Sequence, residues 1–194
     1  MEISSTQLKE LRDATGISVM QCKKALEEAL GDMEKALIIL RKKSGESASK
    51  KSGRAFGAGA VGAYAHNTHE VAALVLLSCE TDFVSKNEEF IALARDLAMQ
   101  VVATSPTYIT KDEISEEQRA KVAEVFAEEI KDKPAELREK ILQGKLDSYF
   151  KEQVLLEQEF IKDPTRTITS LVNDAIQKFG ENIAIQKISR ISVR

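Results

Sequence analysis

Glu70-Val-Ala-Ala-Leu-Val-Leu-Leu-Ser-Cys-Glu80 is the most apolar stretch of the chain, and its reading sets the fold class. A short continuous apolar run closed by charged punctuation reads as a strand buried on both faces. Just upstream, His66-Asn67-Thr68-His69 reads as a hairpin turn, with the small apolar segment Phe56 to Ala65 as the partner strand. Near the C-terminus, Ile183 to Val193 gives a third strand, whose alternation slips near Lys187 and Ile188 as a bulge would make it do. Three antiparallel strands packed with helices on one face make an α+β layer.

Helical spacing fills the rest of this domain. Ser85 and Glu88 form a capping box, followed on one face by Phe90, Ala94, Leu97 and Val101. After Pro106 and Tyr108-Ile109-Thr110 comes a charge-rich helix carrying Val122, Val125, Phe126 and Ile130. Pro134 starts a further helix with Leu137, Ile141 and Leu142, and Gly144 is expected to interrupt it before Tyr149, Phe150, Val154 and Leu155. Thr167 opens a last helix with Ile168, Leu171, Val172, Ala175, Ile176 and Phe179, stopped by Gly180. The segment at about 111–160 reads as a helical excursion from the sheet domain.

Toward the N-terminus the punctuation marks three short helices. Ser4 with Gln7 is a capping-box pattern before Leu8 and Leu11, and Gly16 stops the element. Ser18 with Gln21 repeats the signal, Cys22, Ala25, Leu26, Ala29 and Leu30 form the stripe, and Gly31 ends it. Asp32 caps a third helix with Met33, Ala36, Leu37 and Leu40 inward and Gly45 after it. None is long enough to stand alone in water, so the three must pack on one another. In the turn Thr15 to Met20, periodicity leaves two readings open for Ile17 and Met20: they close the small core, or they form an exposed apolar partner surface. Residues 44–54 are small, polar and charged, a linker composition. The expected organisation is a three-helix module at 1–45, a linker at 46–54 and an α+β core domain at 55–194.

Composition excludes several classes. With 194 residues, 43% hydrophobic and 30% charged, the chain can bury a core and is not disordered. The unbroken run Val71 to Leu77 falls far short of the ~20 residues that span a bilayer. The first residues carry neither a basic nor an apolar signal region, so no membrane or secretory role is expected. Cys22 and Cys79 are far apart in sequence and show no zinc spacing, and two lone thiols suit a reducing cytoplasm. The net charge of −3 is uneven: +3 over 1–54, −4 over 55–110, −5 over 111–163 and +3 over 164–194. Arg41 to Arg54 carries six basic residues against Glu46 alone, yet no aromatics are interleaved for base stacking. Direct nucleic-acid binding is not expected.

No catalytic constellation emerges, and neither a cofactor nor a metal is expected. Gly57 to Gly62 matches GxGxxG, a dinucleotide fingerprint that works only between a strand and a helix N-terminus. Here a basic stretch precedes it and an apolar strand follows, so close backbone approach explains the small residues better. His66 and His69 lack further ligands at metal spacing, and a Cys-His nucleophile pair lacks an orienting group. Glu80-Thr81-Asp82-Phe83-Val84 leaves the apolar strand and enters a helix, a corner where loops carry function. From the residues alone, the favoured reading folds Phe83 into the core and uses Asp82 as a cap.

Five separated motifs change that balance. Leu11-Arg12-Asp-Ala-Thr15-Gly16, Met20-Gln21-Cys22-Lys23-Lys24-Ala25-Leu26, Gly31-Asp32, Thr81-Asp82-Phe83-Val84 and Val154-Leu-Leu-Glu-Gln158-Glu159-Phe160-Ile161 resemble the translation elongation factor Ts family, in order and from end to end. The chain resembles the compact form with a single core unit, whereas longer members carry two related halves. Gln21 stands where the family commonly has an acidic residue, and Glu159 where it commonly has proline.

The resemblance implies a guanine nucleotide exchange factor for the GTPase elongation factor Tu, not an enzyme. It implies a ubiquitin-associated-type module that docks on the GTPase domain through Arg12, Met20 and Lys23, with Lys51 just after it. Asp82 and Phe83 match an intruding pair whose ring wedges between helices of the partner and disturbs its magnesium and phosphate-loop region. His66 and Ile161 match positions that touch other parts of the partner, and compact members pair as homodimers through their sheets. A partner that binds the nucleotide-free GTPase better must weaken GDP binding by the same factor, which needs no acid, base or cofactor. The competing readings are a protein-binding module without exchange activity and a nucleotide-binding oxidoreductase built on Gly57 to Gly62.

Overall fold

In a computed structural model describing residues 3–193, the elements run α1 (Ser5–Thr15), α2 (Val19–Glu28), α3 (Met33–Lys51), β1 (Ala58–Ala65), β2 (Val71–Cys79), α4 (Asp82–Ser85), α5 (Glu88–Thr104), α6 (Glu116–Glu129), α7 (Ala135–Gln153), β3 (Glu159–Phe160), β4 (Asp163–Thr167), α8 (Ile168–Phe179) and β5 (Ala184–Ser192). Short 3-10 turns at Lys111–Glu113 and Leu155–Glu157 flank α6 and α7. Residues 1–2 of the expected N-terminal module and residue 194 of the expected core lie outside the described residues.

The apolar run that decides the fold class is the central strand of a three-stranded antiparallel sheet ordered β1-β2-β5. The hairpin closes at His66, whose N–H donates to Val71 O at 2.9 Å, and at Gly57, whose N–H donates to Cys79 O at 3.1 Å. Val193 N–H donates to Glu70 O at 2.9 Å on the other side of β2. The fold is thus α+β, but β2 is not buried on both faces. Ala73, Val75 and Leu77 are buried while Leu74 and Leu76 are 49% and 37% exposed. An unbroken apolar run cannot distinguish a covered face from an apolar face left open, because both erase the alternation. A second, two-stranded sheet pairs β3 with β4, Glu159 opposite Thr167 and Phe160 opposite Asp163, a hairpin that the sequence reading did not contain.

The chain divides into two compact units, the first comprising Met1–Val61, Leu76–Ala94 and Thr169–Ile185. In it, Leu11, Ile17, Cys22, Ala25, Leu26, Ala29, Ala36 and Leu40 form the core of the three N-terminal helices. The caps follow the sequence: Ser4 and Gln7 complete a capping box, and Ser18 and Asp32 accept from Gln21 N and Lys35 N. Gly45 does not end the third helix, and the stretch composed like a linker is helical as far as Lys51. The reason is docking on α8. The Ser44 hydroxyl lies 2.9 Å from Asp174 Oδ1, and Lys51 Nζ donates to Ser47 Oγ at 2.7 Å and to Ile176 O at 3.4 Å. Tertiary contacts of this kind override weak helix propensity. Phe90 and Phe179 meet edge to face, with centroids 6.0 Å apart. Asn87, rather than Ser85, caps α5: its Oδ1 accepts from Glu89 N at 2.9 Å while the Ser85 hydroxyl donates to Asp82 O.

The second unit comprises Gly62–Val75, Arg95–Ile168 and Gln186–Arg194. Its α6 and α7 enclose Ile114, Leu146, Phe150 and Val154, with Tyr108, Val122, Phe126 and Leu142 packed around them. Gly144 does not interrupt α7: a glycine costs a helix only about 1 kcal/mol, and the flanking turns repay it by packing Leu142 and Leu146 in this core. Gln100, fully buried, ties α5 to the β3 hairpin: its Nε2 donates to Gln158 Oε1 and Glu159 O at 3.1 Å each, and its Oε1 accepts from Ile161 N at 2.9 Å.

Candidate functional site

The corner after β2 is built by the first unit. Thr81 stands as the N-cap of α4 without bonding its side chain to the helix, and α4 is a single turn, Asp-Phe-Val-Ser. A turn this short has no stability of its own and persists only if neighbours hold it. Val84 is 8% exposed and anchors the turn inward, whereas Phe83 is 86% exposed. The core placement expected of Phe83 from its residue type does not hold. One helical step separates the two side chains by about 100°, so burying Val84 turns Phe83 outward. Leaving a phenyl ring in water forgoes about 1.5–3 kcal/mol of burial, which remains available to a partner.

The charges around this turn are ordered. Asp82 accepts from Lys86 Nζ at 2.6 Å, and that bond, then the lysine's charge, holds the carboxyl below its usual range. Glu80 is likewise lowered, first by the Asn182 backbone N–H at 2.6 Å and then by Arg54 at 3.3 Å. Asn182 also donates through Nδ2 to Arg54 O at 2.8 Å. The Glu181 carboxylate accepts from Glu80 N and Thr81 N at 3.0 Å each and from the Thr81 hydroxyl at 2.5 Å. Lys51 is pushed down, chiefly by burial and next by Arg54, with Glu80 partly opposing. Cys79 donates to Thr81 O at 3.2 Å, and burial followed by Glu181 pushes its thiol up, the opposite of a reactive cysteine.

The other residues expected at a partner surface are placed as follows. Arg12 is exposed on α1, and Lys23 is exposed on α2, 3.9 Å from Glu27. The open choice in the Thr15 to Met20 turn resolves into both: Ile17 is 3% exposed and closes the core, while Val19 and Met20 are 45% and 63% exposed. Lys51 joins the Arg54–Glu80 cluster that leads into the Asp82–Phe83 turn. No hydrogen bond or ion pair among the described residues links Arg12, Met20 or Lys23 to that turn. In the second unit, His66 sits in the β1–β2 turn with Nδ1 3.0 Å from the Thr68 hydroxyl, and Ile161, 40% exposed, sits in the β3–β4 turn. Of the two departures, Gln21 accepts from Gln177 Nε2 at 3.1 Å, and Glu159 lies 3.8 Å from Lys151. Glu181 and Asn182 were not singled out from sequence. Their only signal is a polar pair between a helix stop and a strand, and it says nothing of partners a hundred residues earlier.

The glycines at 57–62 lie at the edge of and within β1, not in a strand-to-helix turn. A Cβ on Gly59 would stand 2.7 Å from Leu77 O, so close backbone approach accounts for it. Among the described residues no group of three or more His, Cys, Asp or Glu could hold a metal ion, and no helix is long and apolar enough to cross a membrane.

The sequence profile of the family described as "Elongation factor TS" matches residues 5–178. "Elongation factor Ts" of Thermotoga petrophila is 45% identical over 193 residues, covering 100% of this chain and 97% of its own length. The protein of the same name from Maridesulfovibrio salexigens is 45% identical over 195 residues, with 100% and 95% covered. That from Carboxydothermus hydrogenoformans is 45% identical over 193 residues, with 98% and 89% covered. A profile match over most of the chain, with full-length relatives near half identity, makes this chain a member of the elongation factor Ts family of translation factors.

Proposed function

We propose that this chain is a guanine nucleotide exchange factor for elongation factor Tu, acting in the cytoplasm as a binding partner rather than an enzyme. The observation that carries the reading is Phe83, 86% exposed on a turn whose next residue is buried. An aromatic ring so presented is a ready intruder for a cleft between helices, and Asp82 sets the turn's orientation through Lys86. Inserted beside the phosphate loop and Mg²⁺, the ring raises the energy of the GDP-bound state and leaves the nucleotide-free complex favoured. Tight binding to the empty GTPase and weak binding of GDP are then one coupling free energy.

In this reading the three-helix module at 1–45 docks through Arg12, Met20 and Lys23, the stretch 46–54 joins it to the core at 55–194, and Lys51 adds a charge near the loop. His66 and Ile161 extend the contact elsewhere on the partner. A second copy covers the open apolar depression lined by Ala63, Tyr64, Leu74 and Ile191, giving a homodimer. Leu74 and Ile191 are 49% and 74% exposed in the single chain, which favours such a cover.

Stopped-flow release of fluorescent GDP from elongation factor Tu tests the proposal. The parent should accelerate release strongly and Phe83→Ala should lose most of that acceleration. Equal acceleration by both sinks the wedge. No acceleration by either sinks the exchange reading.

A further inference from the structure

We propose that Glu181 is a positioning residue for the Asp82–Phe83 turn, an inference that rests on the wedge reading above. The turn needs an external brace because four helical residues cannot hold themselves. Val84 supplies an apolar anchor. The Glu181 carboxylate gathers the three donors that precede the turn: Glu80 N–H, Thr81 N–H and the Thr81 hydroxyl. Those two N–H groups would otherwise be left at the open end of β2, and Thr81 does not cap α4 with its own side chain. A carboxylate accepting several N–H and O–H donors is the strong, directional form of this contact.

The brace is reciprocal. Gly180, at φ +77°, turns the chain out of α8, and the next two residues then face Glu80 and Thr81. Glu181 accepts from that pair while Asn182 N–H donates back to Glu80 Oε1 at 2.6 Å. The crossed bonds fix the direction in which the chain leaves β2, and with it the direction of the Phe83 ring. Asp82 and Phe83 themselves make no bond to Glu181. Its effect on exchange therefore travels through the backbone at Glu80 and Thr81. Losing the carboxylate frees the turn to sample other directions, and the ring is presented in the productive one for only part of the time.

The test is fluorescent-GDP release from elongation factor Tu with the parent, Glu181→Ala, Glu181→Gln, Phe83→Ala and the Glu181→Ala/Phe83→Ala double variant, alongside amide hydrogen exchange. Glu181→Ala is expected to slow maximal release on the order of 10-fold with affinity for nucleotide-free elongation factor Tu changed much less. Glu181→Gln keeps one acceptor oxygen and should recover part of the rate. Amide exchange at Glu80 and Thr81 should quicken in both variants. On the Phe83→Ala background, Glu181→Ala should cause no further loss, because the brace has nothing left to aim. A full rate and unchanged amide protection in Glu181→Ala overturn the inference while leaving the wedge intact. A loss of the same size with and without Phe83 also overturns it, since that is general destabilisation. If Glu181→Ala does not fold, Glu181→Gln carries the same two comparisons. A Phe83→Ala variant as active as the parent is instead the failure of the wedge reading itself.

Discussion

Gly16→Ala should destabilise the chain by about 2 kcal/mol, through two separable causes. Gly16 closes α1 at φ +65°, where an L residue costs about 1–2 kcal/mol. The lower entropy of the unfolded alanine chain offsets about 0.4–1 kcal/mol of that. The added Cβ would also stand 2.7 Å from Lys178 Nζ and 3.0 Å from its Cε. The lysine end must move, giving up its ion pair with Glu89 and its seat 5.8 Å from the Phe179 ring centroid. Those contacts together are worth about 1 kcal/mol at this degree of exposure. The sum corresponds to roughly 4–8 °C in melting temperature for a chain of this size. Urea unfolding followed by circular dichroism measures it, with the same substitution repeated in Lys178→Ala. There the steric part is gone and the cost should fall to about 1 kcal/mol. An equal cost in both backgrounds refutes the contact with Lys178, and a negligible cost in both refutes the backbone argument.

Three further outcomes are expected. Glu80 has a folded pKa held below its ordinary 4.5, so the stability it supports is complete above that value and is lost as pH falls through the folded pKa. Glu80→Gln should therefore flatten the acid side of the stability profile in urea titrations between about pH 3 and 6, and an unchanged slope counts against the Asn182 bond. Gln100→Leu takes their Gln100 partner from the Ile161 N–H and the Glu159 carbonyl and leaves Gln158 Oε1 with the Thr104 hydroxyl as its donor, costing about 2–3 kcal/mol and speeding proteolysis within 159–167. Cleavage at the parent rate would show that the hairpin is held by something else. Leu74→Glu places a charge on the open sheet face, so under the homodimer proposed above sedimentation should show the parent as a dimer and the variant as a monomer; a variant that still dimerises removes this face as the interface.

Much of the architecture was legible because it is local. Ser4 with Gln7, Ser18 and Asp32 cap the helices that their spacing announces, and the turn at His66 to His69 joins the strands it separates. The family was legible too, since its motifs are short runs of neighbours. Where the reading failed, either distant residues or a competing local bond had decided. Gly45 and the polar stretch after it stay helical because Asp174 and Ile176 receive Ser44 and Lys51. Ser85 yields the cap of α5 to Asn87 because α4 uses Ser85 first.

By itself, then, the sequence determined the class of fold, the three N-terminal helices and the family, because periodicity, caps and motifs act over a few residues. Only the tertiary structure decided which apolar side chains stay in water. Phe83 and Val84 are adjacent and both apolar, and one is exposed while the other is buried. That choice belongs to the direction in which the chain leaves β2, and the direction is held by Glu181 and Asn182, a hundred residues away in sequence.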